Sequence, residues 1–141
     1  MPAGSWQSWA LASAFFAGLT AILAKLGVRE MDSNLATAVR TAVVLVFAGS
    51  IVAWQGTYRS LPSLDARSIL FLILSGLATG ASWLCYFHAL KIGPASRVAP
   101  IDKLSVVFVV LLAAIYLGET LTWKAILGVA LMVAGALLLA R

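Results

Sequence analysis

The chain has 141 residues, of which 62% are hydrophobic and only 11% charged. A soluble domain carries about 25% charged residues, so polar groups cannot cover this surface and its solvent is lipid. The net charge of +5 does not indicate nucleic acid, because the basic residues are scattered at the ends of apolar runs, where lipid headgroups lie.

Charged and turn residues divide the chain into five apolar segments, about 6–26, 34–54, 68–90, 97–117 and 122–140. Each is close to the roughly 20 residues that cross a bilayer as a helix. The expected fold is an all-α membrane protein, a bundle of five transmembrane helices forming a single domain over residues 1–141. Short links carrying Gly56, Pro62, Gly93-Pro94 and Gly118 separate the segments and leave no room for a soluble domain. Trp6, Trp9, Trp54 and Trp123 fall at segment ends, as interfacial aromatics do. Trp83 does not.

The first apolar run has no Lys or Arg before it and is too long for a signal-peptide core, so it reads as a spanning helix. Ser13, Ala17, Thr20 and Ala24 form a small-residue stripe on it, whose hydroxyls are read as bonding their own helix or a neighbour. In the second segment Arg40 shares a face with Thr37, Val44, Phe47 and Ile51. It lies about 9 Å inside the helix start. From there it either snorkels to the headgroups or faces a cavity.

In the third segment Ser75, Thr79, Ser82 and Tyr86 recur at steps of four, three and four, which places them on one stripe. Gly76 and Gly80 form a G-x-x-x-G pair beside it, a close-packing signature, and Trp83 and Phe87 continue the glycine face. The polar stripe is expected to line a cavity. The alternative is that its hydroxyls bond within the helix. His88 lies roughly opposite the Tyr86 stripe near the helix end and reads as a headgroup contact or packed residue. Cys85, the single cysteine, reads as a buried thiol.

The fourth segment contains the most unusual stretch, Arg97-Val98-Ala99-Pro100-Ile101-Asp102-Lys103-Leu104-Ser105. Pro100 removes a backbone donor and frees a carbonyl one turn earlier. A charge at helix centre costs about 2.5–3.5 kcal/mol on insertion scales. Such a polar helix break is tolerated against protein or a water-filled cavity; the alternative is the ordinary chemistry of a helix start at the interface. Asp102 shares a face with Ser105, Val109, Ala113 and Tyr116, with Lys103 about 100° away. An Asp102–Lys103 pair is therefore expected less than a pair between helices, Asp102 with Arg40. Arg40, Tyr86, Asp102 and Ser105 are expected to share one polar cavity. The fifth segment is apolar from Ala125 to Ala140, with Gly128, Gly135, Met132 and Leu139 on one face. That face reads as a packing surface at an oligomer interface.

Taken together, these features resemble the EamA-type domain of the drug/metabolite transporter superfamily. The resemblance rests on Arg40, on Tyr86-Phe87-His88-Ala89-Leu90, on Ala99-Pro100, and most strongly on Leu117-Gly118-Glu119-Thr120-Leu121-Thr122 followed by Gly128 and Gly135. It covers essentially the whole chain. It implies a transporter of small metabolites or drugs working by alternating access. Many members hold two such domains as inverted repeats. This chain has one, the equivalent of half, and so implies a partner copy. Smaller multidrug relatives carry a membrane-embedded glutamate in the first helix. Here no acid precedes Glu30, and that proton chemistry is not carried over. Glu119 sits in the turn before the last helix, where it reads mainly as a turn residue.

No acid pair, nucleophile with base, or metal cluster falls on one face, so no enzyme, cofactor or metal is expected. The expected partners are the bilayer of a plasma or bacterial inner membrane, a small-molecule substrate and a second copy of the chain. A rival expectation is a non-transporting accessory subunit of a larger membrane complex. Arg40, Trp83 and Tyr86 suit an amphipathic or anionic metabolite. Basic residues at Lys25, Arg29, Lys91, Arg97 and Arg141 fall on one side and Arg59, Arg67 and Lys124 on the other. That bias favours an outside N-terminus and a cytoplasmic C-terminus.

Overall fold

The computed structural model describes residues 5–141, with the backbone alone at 61–63. The described residues form helices and no strand. Five helical spans are long and apolar enough to cross a membrane. They are α1 (Trp6–Gly27), α2 (Ser33–Gln55), α3 (Ala66–Ile92), α4 (Ala95–Asp102) continued by α5 (Ser105–Tyr116), and α6 (Trp123–Ala140). A 3₁₀ turn, Thr57–Ser63, links α2 to α3. At 27 residues, α3 is about 40 Å long, more than the roughly 30 Å hydrocarbon layer requires.

The described residues divide into two compact units, one of residues 24–91 and one of residues 5–23 with 92–141. In the first, the core lies where the α1–α2 link meets the end of α3. Val28 and Leu90 are fully buried there, with Phe87, Ala36, Ser33 and Thr37 nearly so. Two lysines fasten the same end. Lys25 donates to the Leu90 carbonyl, and Lys91 Nζ donates to the Met31 carbonyl at 3.0 Å. Asp32 caps α2 by accepting from the backbone N–H of Asn34 at 2.9 Å and of Leu35 at 3.2 Å. These bonds satisfy donors that the first turn of a helix leaves without partners. They hold the Asp32 carboxyl below its ordinary pKa, with Leu35 the larger cause. At the other end of α2, Gly56 closes the helix with φ +69°, a conformation costly for a side chain.

In the second unit α4 packs against α6. Thr122 caps α6 by accepting from the Ala125 N–H at 3.2 Å. Gly118, with φ +68°, ends α5 and lets the Glu119 N–H fold back onto the Ala113 carbonyl. Leu117-Gly118-Glu119 is thus a helix-terminating turn.

The fourth span is not one continuous helix. The α-helical pattern runs through Pro100 and is lost at Lys103–Leu104. There Leu104, Val106 and Val107 donate to Ile101, Lys103 and Leu104, three residues back rather than four. This tighter winding at the break is the 3₁₀ geometry that marks mid-helix discontinuities.

Candidate functional site

Arg40 lies on α2, Trp83, Tyr86 and Phe87 on α3, all in one unit. The Arg40 guanidinium carbon is 4.1 Å from the Trp83 ring centroid and 5.5 Å from that of Phe87. Trp83 and Phe87 are four residues apart, so their rings stack along one face of α3. The arrangement is an aromatic clamp on a cation. Tyr86 meets Phe87 edge-to-face at 6.5 Å. Arg40, Trp83 and Tyr86 are all half-buried, and Phe87 is buried. The described residues give the guanidinium two aromatic faces and no hydrogen-bond acceptor.

The face of α3 that meets Arg40 is therefore the one continuing from Gly76 and Gly80. Ser75, Thr79 and Ser82 are exposed. The Thr79 hydroxyl donates to the Ser75 carbonyl at 2.9 Å, and Thr37 and Thr41 likewise donate to carbonyls four residues back on α2. Sequence reasoning places Phe87 on the glycine face with Trp83 and in the stretch 86–90, without a role toward Arg40. Its spacing of four from Trp83 was the signal that both rings could hold one cation.

Asp102 and Ser105 belong to the other unit, on either side of the helix break. The Asp102 carboxylate pairs with Lys103 Nζ at 3.2 Å. This is the pair that helical spacing disfavours, since neighbouring residues on a continuous α-helix do not face each other. Asp102 is the last residue of α4 and Lys103 its C-cap, so the pair sits at the interruption of the span. Asp102 is half-buried and Ser105 exposed. Pro100 and Lys103 line a cavity of about 240 Å³ together with Met132, Gly135, Ala136 and Leu139 of α6. Three residues of the α6 glycine face thus border a groove within the chain. A Cβ built at Gly76, Gly80, Gly128 or Gly135 meets no atom within 4 Å, so these glycines have space beside them among the described residues. Cys85 is an exposed free thiol rather than a buried one, and His88 is exposed.

An arginine clamped by aromatics inside one span and a charged break in another are features of a solute-handling membrane protein. The EamA-like transporter family matches residues 4–141, and the chain belongs to that family. A protein of Sinorhizobium sp. named as an uncharacterized transporter in the cobO 3′ region is 55% identical over 136 residues, 96% of each chain. An uncharacterized protein of Methanocaldococcus jannaschii is 29% identical over 82 residues, 58% of this chain and 60% of its own. No solved structure matches.

Proposed function

We propose that this integral membrane protein carries a small metabolite or drug across a bacterial inner membrane by alternating access, as a homodimer. The observation that carries the reading is Arg40, a cation placed within a spanning helix and held on Trp83 at 4.1 Å. A charge at that depth is costly, and its retention in an aromatic clamp fits a binding site better than a structural pair. We assign the path to Arg40, Trp83 and Tyr86, with Ser75, Thr79 and Ser82 along the same helix and Asp102 and Ser105 at the break. The broken fourth span supports alternating access, because transporters use discontinuous helices at their solute sites. The homodimer is supported by the exposed small-residue faces of α3, where Ser75, Gly76 and Thr79 lie open to a neighbouring helix.

Reconstitution of the purified chain alone tests the proposal. Proteoliposomes should accumulate at least one solute from a screen of amino acids, nucleosides, organic acids and cationic dyes. Asp102→Asn should lower that uptake about tenfold or more while the protein stays in the bilayer, since Asn keeps the shape and loses the charge that pairs with Lys103. An inert wild-type chain would instead favour an accessory subunit.

A further inference from the structure

We propose that the transported solute carries a carboxylate or phosphate group, and that this oxyanion docks on the edge of the Arg40 guanidinium; the proposal deepens the transport reading and rests on it. Arginine stays charged at all working pH values. The guanidinium carbon lies 4.1 Å from the Trp83 ring centroid and 5.5 Å from that of Phe87, and ring contacts of this kind consume none of the N–H donors of the guanidinium fork. That fork matches the two oxygens of an oxyanion and binds them in parallel.

No described residue supplies an acceptor to it. The nearest hydroxyls on the same helix, Thr37 and Thr41, donate to backbone carbonyls. A fixed carboxylate beside Arg40 would close the fork permanently. A mobile anion neutralises the charge only while bound, which is what a carrier requires.

Depth favours a solute over a lipid headgroup as the source of the oxyanion. Arg40 lies seven residues into α2 and Trp83 nine residues before the end of α3, about 10–14 Å along each helix. The stack on Trp83 holds the guanidinium at that level instead of letting it snorkel.

The test uses Trp83 as its own reporter. Trp6, Trp9, Trp54 and Trp123 are changed to Phe, and the full chain is placed in phosphatidylcholine nanodiscs. Phenylacetate, phenyl phosphate and neutral phenylacetamide are titrated against Trp83 emission. At least one of the two anions should give a saturable change, with phenylacetamide at least tenfold weaker. Arg40→Ala should raise the half-saturation about tenfold or more, Arg40→Lys less, and Arg59→Ala, on the link, not at all. Circular dichroism checks that the Arg40 variants are folded, and the Lys variant keeps the charge if the Ala variant is not. Equal responses to acid and amide, or no Arg40-dependent response to either anion, overturn the proposal. The titration is repeated in nanodiscs rich in phosphatidylglycerol. Loss of the anion response there, with an Arg40-dependent shift from the lipid alone, assigns the site to a headgroup and also overturns it. Binding is read without transport. Arg40-dependent binding in a chain that moves nothing therefore sinks the transport reading and leaves the oxyanion site standing.

Discussion

Arg40 and Asp102 are charges set well inside their spans by sequence, and they are handled differently. Asp102 takes a cation from the next residue, Lys103. Arg40 takes aromatic faces, worth about 0.5–2 kcal/mol, which leaves much of its insertion cost without a counter-charge. Glycine is used for two distinct purposes. Gly56 and Gly118 hold positive φ, where any other residue is strained. Gly128 has ordinary helical backbone and open space. Gly118→Ala should destabilise the protein by about 1–2 kcal/mol, read as a lower unfolding temperature in detergent. Gly128→Ala should be neutral or slightly stabilising, because alanine is the better helix former. If both substitutions cost the same, the turn has been misassigned. Cys85 shows what a sequence pattern conceals at this scale: an apolar run describes a lipid-facing helix and a buried one equally well, and the thiol is exposed.

Among the elements, α2 is fixed at both ends by local chemistry, Asp32 at its start and Gly56 at its end. Asp32 also gives it a pH dependence. Its folded pKa is depressed by the Leu35 and Asn34 N–H groups. The stabilisation it contributes is therefore present above the unfolded carboxyl value, near about 3.9, and is lost as pH falls through the folded value. Asp32→Ala should lower the unfolding temperature at neutral pH, and the gap to the wild type should close under strongly acidic conditions. A gap that stays constant with pH would show that the capping charge is irrelevant. The third and fourth spans mark where helical periodicity stops being informative. Faces on α3 followed from spacing, but which face met α2 did not. The spacing favoured the Tyr86 stripe as the cavity wall, whereas Arg40 stacks on the Trp83–Phe87 face beside it. On the fourth span, Pro100 signalled a break, but the α pattern is lost three residues later, at Lys103.

For the whole molecule, the distribution of cations biases orientation. The alternation of links is expected to bring Lys25, Arg29, Lys91, Arg97 and Arg141 to the cytoplasmic side. Lys25 and Lys91 also donate to carbonyls at one end of the first unit, so two of these charges tie down local structure as well as bias insertion. A cysteine added at the C-terminus, in a Cys85→Ala background, should be shielded from an impermeant thiol reagent in intact cells and labelled after lysis. Full labelling in intact cells would reverse the orientation. Labelling of about half the population would indicate dual insertion and an antiparallel homodimer.

Five membrane spans and membership of a transporter family were legible in the sequence. Length and apolarity are additive properties of a segment, and turn residues such as Gly56, Gly93-Pro94 and Gly118 punctuate them locally. The aromatic clamp on Arg40 and the Asp102–Lys103 pair were decided only in three dimensions. Helical spacing fixes which side chains share a face, but the neighbour each face receives depends on how two helices pack. Asp102 and Lys103 lie where the helical winding is interrupted, and there the periodicity that assigns side chains to faces no longer applies.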